Sequence, residues 1–474
     1  MRRRSLTASV VTAAIAALGT FASTARADDG GSAAGRRGLM LATAAPDGSA
    51  LSPGAAQASP ARLTLDDAIA RAIANSHRLG ELRAREAAAV AAAAGRGAAQ
   101  KPIVTTQVGY QRTNHVDEFG FLTLEGTFSV VYPDVPDNYR ARVELQWPIY
   151  TGGRLQALER AARAEAEFSG KELGTARADL KLEVTRAFWA LLTARESAHV
   201  LEEALRRVDA QLADVRSRFD AGLVPPNDVF SVEAERARQA VFLIEAKNLA
   251  AAAEADLARL IGAGDGAITL DAVLEPSGAP QIADPAALLT EARAGRTERT
   301  GLEIRTRIAG ERETAALAGR LPAVSLLTGF DYTRPNPRIF PRVDAWRHSW
   351  DVGVNVSWTA WDAGRTRFEV AEAASLKEAT RERLKEFDST LALEIRQRTL
   401  DVDSTRAQIG AASEGVRAAT EARRVVQERF AAGVATSTDL LDAQVALLQA
   451  ELDRTRALAN ARLASARLDR ALGR

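Results

Sequence analysis

Two acidic residues, Asp439 and Asp442, have the spacing most suggestive of a shared chemical role. They are three residues apart, so on a helix they lie on one face and place two carboxylates side by side. Their position just after a predicted turn leaves a second interpretation open. Acidic side chains near the N-terminus of a helix are favoured by its dipole, so both residues could simply cap the helix.

No pattern for catalysis or for cofactor binding accompanies this pair. The sequence contains no GxSxG, HExxH, phosphate-binding loop or dinucleotide fingerprint. The four histidines are scattered singly, without the spacing of metal ligands; they are His77, His115, His199 and His348. We therefore predict that the protein is not an enzyme and has no metal or cofactor.

Composition excludes several further classes. The 474 residues include 62 basic and 61 acidic side chains and no cysteine. The absence of cysteine rules out disulfides, thiolate zinc sites, iron–sulfur clusters and an acylated lipoprotein cysteine. A net charge near zero gives no reason to expect a nucleic-acid partner. With 46% apolar residues, the chain has the composition of a folded protein.

The first 27 residues have the pattern of a secretory signal peptide. Arg2, Arg3 and Arg4 precede an apolar core from 10 to 21, and a small-x-small site ends at Ala27. An uncleaved anchor is the alternative. Residues 28–61 are rich in Gly, Ala, Ser and Pro and read as a flexible leader. No later apolar run is long enough for a transmembrane helix. Contact with a membrane would then require a β-barrel or surface binding.

The most informative feature is an internal repeat. Residues 147–154 (WPIYTGGR) align with 358–365 (WTAWDAGR), and 218–223 (RFDAGL) align with 429–434 (RFAAGV), both at a shift of 211 residues. Upstream, the shift is 220, so the first copy carries nine extra residues between about 112 and 139, where we predict a loop. The repeats are predicted over 62–284 and 285–474. Order begins with a helix that Thr64 or Asp66 caps and that continues through Leu79.

Each repeat contains a long segment with the pattern of a helical hairpin. Residues 153–219 and 364–430 contain no proline, and apolar residues recur at alternating steps of four and three. A turn follows each segment, and a return helix ends near 262 or 472. We therefore predict hairpins over 153–262 and 364–472, although any coiled-coil protein would show similar heptads.

Four shorter segments alternate between apolar and polar residues. We predict strands at about 102–113, 139–150, 322–333 and 349–360. Period-two alternation over about ten residues, with aromatic residues near the ends, is typical of transmembrane barrel strands. An amphipathic sheet packed on the helices is the alternative. The candidate membrane-interface aromatic residues are Tyr110, Tyr139, Trp147, Tyr150, Tyr332, Trp350, Trp358 and Trp361.

Four strands cannot close a barrel, and lipid does not tolerate an open sheet edge. The chain must therefore oligomerise. A dimer would supply eight strands and a trimer twelve, and the residues alone do not choose between them.

The two WPIY-like blocks, the two Arg-Phe-x-x-Gly turns and the duplication together resemble the TolC-like outer-membrane efflux proteins, from about 62 to 472. The resemblance implies a mainly α fold with a membrane β-barrel portion. Three copies, with four strands each, would form a twelve-stranded barrel, continued by a long periplasmic α-helical barrel of coiled-coil hairpins.

The function implied is that of the outer-membrane channel of a tripartite efflux or type I secretion system. Its partners would be a periplasmic membrane-fusion adaptor, an inner-membrane pump of the RND or ABC type, and outer-membrane lipid. A periplasmic coiled-coil adaptor is the alternative function. It would share the signal peptide and the heptads, but it normally has one helical hairpin.

The resemblance also assigns site residues. The hairpin tips would contact the adaptor; they comprise Arg218, Phe219, Gly222, Leu223, Asp228, Arg429, Phe430, Gly433 and Val434. Asp439 and Asp442 would form an acidic ring at the periplasmic entrance. The Tyr and Arg that close some relatives are replaced here by Phe430 and Ala435, so we consider Asp228 a candidate partner of Arg218 or Arg429.

Overall fold

The computed structural model describes residues 62–264, 268–275 and 284–474. The predicted signal peptide (1–27) and leader (28–61) lie outside the described residues. The described helices are α1 Leu65–Asn75, α2 His77–Ala98, α3 Arg154–Asp220, α4 Pro226–Ile261, α5 Pro285–Gly295, α6 Thr297–Leu317, α7 Arg365–Ala431 and α8 Ser437–Leu472. The described strands are β1 Ile103–Arg112, β2 Phe119–Leu122, β3 Phe128–Tyr132, β4 Asp137–Tyr150, β5 Ala323–Arg334 and β6 Arg347–Ser357.

Helices α3 and α7 are the longest elements, with 67 residues each. At 1.5 Å per residue each extends about 100 Å. The bounds of α3 and α4 reappear 211 residues later as the bounds of α7 and α8. None of the described helices is both long enough and apolar enough to cross a membrane.

The helices form a layer with two free edges. Along one half of their length, α3 packs between α4 and α8, and α8 packs in turn on α7. Along the other half, α3 packs between α2 and α6, and α6 packs on α7. The edge helices are therefore α4 and α2 on one side and α7 on the other.

Strands β1, β4, β5 and β6 form one antiparallel sheet in the order β1-β4-β5-β6. The register places Thr106 opposite Val143, Val143 opposite Phe330, and Phe330 opposite Trp350. Because side chains alternate between the faces of a sheet, most of the apolar residues of the four strands lie on one face. Their charged neighbours, among them Arg142 and Asp331, share the other face.

The elements of the structure differ from the sequence prediction in several places. The region between about 112 and 139, predicted as a loop, contains the hairpin β2–β3, in which the Thr123 amide donates to the Thr127 carbonyl at 2.8 Å. The single helix predicted through Leu79 divides at Ser76, which ends α1 and caps α2. Strand β6 ends at Ser357, three residues before the predicted end.

The main core lies where the short helices meet the long ones. Helix α1 packs into the angle between α3 and α4, and the buried residues there include Phe188, Leu191 and Leu257. In the second repeat, α5 packs against α7 and α8 around Leu391 and Ile395. Each cluster therefore fixes a short helix to the hairpin of its own repeat, far from the tips.

Candidate functional site

The two hairpin turns lie side by side at the end of the helical layer remote from the sheet. Each turn joins a long helix to its return helix, over residues 221–225 and 432–436. The sequence-predicted tip residues are thereby brought together, in the two adjacent turns and in the helix ends that flank them.

Both turns have the same backbone geometry. The amide of Leu223 donates to the Arg218 carbonyl at 2.8 Å, and the amide of Val434 donates to the Arg429 carbonyl at 2.8 Å. Gly222 and Gly433 have φ values of +70° and +76°, the left-handed conformation that closes a helix in this way. The repeated glycine is therefore explained by helix termination.

Apolar side chains project from these turns. Leu223 is 74% exposed and Val434 is 67% exposed. The two equivalent phenylalanines differ, because Phe219 is 41% exposed whereas Phe430 is only 5% exposed. The tip therefore presents an apolar surface to any partner that approaches it.

Arg218 links the first hairpin to the second. Its guanidinium lies 4.4 Å from the centre of the Phe430 ring, and its Nη1 donates to the Phe430 carbonyl at 3.2 Å. Its Nε donates to Asp214 Oδ2 at 3.1 Å. The expectation that Asp228 pairs with Arg218 or Arg429 is wrong. The Asp228 carboxylate accepts instead from the side-chain amide of the adjacent residue Asn227, at 3.1 Å.

Asp439 caps helix α8. Its Oδ2 accepts from the Thr436 backbone at 2.8 Å, while Thr436 Oγ1 accepts from the Asp439 amide at 3.1 Å. These reciprocal bonds form a capping box. The bonds from the Thr436 backbone and hydroxyl lower the pKa of Asp439, so it is ionised at neutral pH. Asp442 is exposed on the same helix. In the first hairpin Pro225 occupies the position of Thr436, and α4 has no side-chain cap.

Charged residues on the polar face of the sheet form a connected network. Arg142 Nη1 lies 2.6 Å from Asp331 Oδ2 and 3.5 Å from Asp351 Oδ1, and its Nε lies 3.1 Å from Glu144. Asp331 is only 6% exposed. Charges of both signs therefore offset one another on this face.

The other face of the sheet is apolar and exposed. Val108 is 82% exposed, and Val352, Val354 and Val356 are each more than 60% exposed. So much unpaired apolar surface marks a contact with another molecule or with lipid.

Aromatic residues lie at both ends of the apolar face. At the end nearer the helices, Trp147 and Trp358 each donate from Nε1 to a backbone carbonyl at 3.2 Å. Tyr150 lies at the end of β4, while Trp358 and Trp361 lie beyond β6 rather than within it. Trp361 is 85% exposed.

At the far end of the sheet, the rings of Tyr110 and Tyr139 are 5.1 Å apart, and those of Tyr332 and Trp346 are 4.9 Å apart. Trp350 pairs with Phe330, which lies two residues before Tyr332 on β5. Sequence analysis missed Trp346 as a member, because Trp346 precedes the regular alternation of β6.

Sequence analysis also missed an ionic cluster at the helix junction. Arg470 of α8 pairs with Asp179 of α3 at 2.7 Å and with Glu298 of α6. Arg296 lies 3.2 Å from Glu394 beside it. Only the tertiary fold brings these distant charges together. Across the described ranges, no three His, Asp or Glu side chains are grouped as metal ligands would be.

Comparison with known proteins identifies a family that matches this architecture. The family model "Outer membrane efflux protein" matches residues 68–263 and 288–474. No curated protein sequence gave a match.

Three solved outer-membrane proteins are similar in fold. The Vibrio cholerae outer membrane protein VceC is 18% identical, with a TM-score of 0.73 over 86% of this chain and 96% of VceC. The Campylobacter jejuni outer membrane channel CmeC is 16% identical, with a TM-score of 0.71 over 86% of this chain and 85% of CmeC. The open-state Neisseria gonorrhoeae outer membrane channel MtrE is 16% identical, with a TM-score of 0.71 over 86% of this chain and 88% of MtrE.

These matches confirm the predicted fold class, a mainly helical chain with a smaller β portion. Because the family model covers most of the chain, the protein belongs to the outer membrane efflux protein family.

Proposed function

We propose that three copies of this chain form a passive export duct. The duct would cross the outer membrane as a twelve-stranded barrel and continue through the periplasm as a helical tunnel. It would dock onto a periplasmic adaptor and an inner-membrane pump of the RND or ABC type, in efflux or in type I secretion.

The observation that carries this proposal is that the main sheet and the helical layer each have two free edges. Strands β1 and β6 end the main sheet, and helices α4 and α7 end the helical layer beside the tips. An open strand edge is not tolerated in lipid, where unpaired backbone groups find no water. Pairing β6 of one copy with β1 of the next satisfies both edges and closes a ring.

The charges on the polar face favour three copies over two. An eight-stranded barrel is filled by its own side chains, whereas a larger one encloses water. Arg142, Glu144, Asp331 and Asp351 lie together on this face. Such a network requires a wet lumen, because burying several charges in a packed interior is costly. The apolar face then meets lipid.

The tips are the proposed docking surface for the adaptor. They are exposed and apolar at Leu223 and Val434, and they lie at the end of the molecule opposite the sheet. The carboxylates of Asp439 and Asp442, repeated in three copies, would place six negative charges at the entrance. This ring would attract cations while Asp439 also caps its helix.

Cysteine cross-linking in cells tests the docking surface, because the chain contains no cysteine of its own. Leu223→Cys and Val434→Cys, treated with a heterobifunctional thiol–amine reagent, should capture a periplasmic adaptor that mass spectrometry identifies. Val354→Cys on the exposed sheet face is the matched control and should capture none. Failure of both tip variants to capture an adaptor, in cells where the native system is active, would contradict the docking assignment.

Membership of the outer membrane efflux protein family supports the channel over the alternative of a periplasmic adaptor. The family is one of outer-membrane channels, not of enzymes.

A further inference from the structure

The internal repeat allows a contact within one chain to predict a contact between chains. Within the chain, α3 of the first hairpin packs against α8 of the second hairpin. The counterparts of these helices, 211 residues away, are α7 and α4, which are the two free edges of the layer. In a closed ring, α7 of one copy therefore faces α4 of the next.

At the tips, the two hairpins also meet through Arg218 of α3 and Phe430 of α7. The guanidinium stacks on the ring at 4.4 Å and donates to the Phe430 carbonyl at 3.2 Å. Phe430 is 5% exposed because it packs among apolar residues of both hairpins, including Val215 and Val229. An arginine over an aromatic ring combines cation–π attraction with apolar packing.

The same two residue types occur at the counterpart positions, but there the arginine does not stack on the phenylalanine within the chain. The counterpart of Arg218 is Arg429, and the counterpart of Phe430 is Phe219. Arg429 is exposed; among the described residues its guanidinium makes no hydrogen bond or salt bridge, and its charge attracts the nearby Asp439 carboxylate. Phe219 is 41% exposed. Within the chain, Arg429 therefore lacks an aromatic ring to stack on, and Phe219 lacks a guanidinium above it.

A stripe of exposed side chains on α4 extends this relationship along the helix. On α8, Leu441 and Leu448 are at most 8% exposed against the first hairpin. The counterparts on α4 are Phe230, which is 66% exposed, and Ala237, which is exposed. One and two turns further along α4, Val241 and Ile244 are 52% and 60% exposed.

The face of α7 that would receive this stripe carries small residues. Leu201, Ala204 and Val208 of α3 lie against α8 within the chain. Their counterparts on α7 are Ala412, Gly415 and Ala419. Small side chains at these positions leave room for Phe230, Val241 and Ile244 of an adjacent copy. The two free edges thus complement each other in size.

We propose that Arg429 of each copy stacks on Phe219 of the next copy and donates to its backbone carbonyl. This contact closes the ring at the tips, where it joins the end of α7 to the end of α3 in the next copy, beside the seam between α7 and α4. The proposal rests on the trimeric duct proposed above and names the residues that hold its periplasmic end.

The seam between copies differs from the seam within a chain. Within the chain, Gln211 Nε2 donates to the Ser437 carbonyl at 3.2 Å, and Arg207 lies 2.9 Å from Glu451. The counterparts of these pairs are Ala422 with Pro226 and Ala418 with Ala240, which form no such bonds. Of these three links, the arginine–phenylalanine pair is the one that the repeat preserves, so the tip of the seam depends on it.

Site-directed cross-linking tests this contact. Double variants Phe219→Cys/Arg429→Cys and, as the matched control, Arg218→Cys/Phe430→Cys would be treated in membranes with a short homobifunctional maleimide. A maleimide is used because an arginine–aromatic stack separates the two Cβ atoms by more than a disulfide permits. The first pair should give covalent trimers on a denaturing gel, and the control should remain at the mobility of the monomer. Each single-cysteine variant should also migrate as a monomer on the denaturing gel.

A second pair tests the same seam with a smaller change. Ala237→Cys/Ala412→Cys replaces alanines at the counterparts of Leu448 and Leu201, and it should also give covalent trimers. If Phe219→Cys/Arg429→Cys fails to assemble, this pair decides the matter. Absence of cross-linking in an assembled pair, while the unmodified protein has the native mass of a trimer, would overturn the proposed contact and leave the duct intact. An unmodified protein of monomeric mass would instead overturn the duct itself.

Discussion

At the scale of single residues, the tips show how one repeated sequence acquires two environments. Arg218 and Arg429 follow the same helix register, as do Phe219 and Phe430. Phe430 is buried because the first hairpin lies against it, whereas Phe219, at the end of α3, remains 41% exposed. Side-chain identity sets what each residue can bind, and position in the layer decides whether its partner is in the same chain.

The tip glycines provide the first prediction. Changing both Gly222 and Gly433 to leucine places side chains where φ is +70° and +76°, which costs about 1–2 kcal/mol each. No heavy atom lies within 4 Å of either added Cβ, so the hairpins should still fold. We expect native gels to show intact trimers while efflux, measured as substrate retention in cells, is lost.

Gly410→Leu is the matched control for that experiment. Gly410 is inside α7, has no positive φ and also has open space around an added Cβ. Efflux should persist in this variant. Efflux that survives the double change at the tips would show that the turns do not dock a partner.

The capping box provides the second prediction. Thr436→Ala removes the hydroxyl that accepts from the Asp439 amide, at a cost of about 1 kcal/mol to the first turn of α8. Hydrogen exchange should show about fivefold lower protection of amides in that turn. Thr438→Ala, two residues away and exposed, should leave protection unchanged. Equal effects of the two variants would contradict the role of the cap.

At the scale of elements, the junction between hairpins depends on charges from three helices. Arg470 of α8 is held between Asp179 of α3 and Glu298 of α6, and its side chain is 11% exposed. Removing one member of a largely buried cluster leaves the others uncompensated. The relative positions of the two hairpins therefore depend on this arginine.

Arg470→Ala should lower the free energy of unfolding by about 2 kcal/mol, less than for a fully buried pair because Asp179 retains solvent contact. Thermal melting of the helical circular dichroism signal, in detergent, measures the loss. Arg456→Ala, in the same helix, removes only an exposed pair with Asp453 at 3.5 Å. It should change stability by less than about 0.5 kcal/mol. Similar losses in both variants would refute the junction role.

The same cluster predicts a pH dependence. Burial raises the pKa of Glu298, but hydrogen bonds and charge from Arg470 and Arg296 outweigh burial and lower it overall. A carboxylate whose pKa is lower in the folded state stabilises the fold at pH values above its unfolded pKa, about 4.3 for glutamate. That contribution is lost as the pH falls through the lower, folded pKa.

The melting temperature of the unmodified protein should therefore fall as the pH is lowered through this range. The melting temperature of Glu298→Gln should fall less steeply, because glutamine takes up no proton. Glu414→Gln is the control, since its exposed pair with Arg417 lies on a solvated face of α7. It should follow the unmodified protein. A Glu298→Gln variant with an unaltered pH profile would show that this carboxylate does not contribute.

Elements with a regular period could be predicted from the sequence, and those that depend on tertiary contacts could not. Alternation along β4 and β6, and heptads along α3 and α7, are local patterns that specify which face is buried. The β2–β3 hairpin is short and lies in an insertion without a repeat partner. The break at Ser76 depends on α1 fitting between α3 and α4.

The candidate site was predictable to a similar degree. The tips follow from the repeated Arg-Phe-x-x-Gly pattern, whose glycines terminate helices. The pairing of Arg218 with Phe430 depends on which hairpins are neighbours, and the sequence does not state this. The incorrect pairing of Asp228 arose because charge alone was considered, whereas Asp214 lies one helical turn from Arg218.

At the scale of the whole molecule, the sheet and the helical layer both need partners at their free edges. Each has two unsatisfied edges, and the sheet also has one apolar and one charged face. A single copy in water would expose both the apolar face and the strand edges. Closure with further copies, in a membrane, removes both liabilities together.

The native mass of the protein extracted from outer membranes tests this claim most directly. Native mass spectrometry in mild detergent should give three copies per particle, and heating in denaturing detergent should convert them to single chains. Extraction should fail without detergent, because the apolar face of the sheet is in lipid. A monomer that is recovered in the periplasmic fraction without detergent would contradict the account.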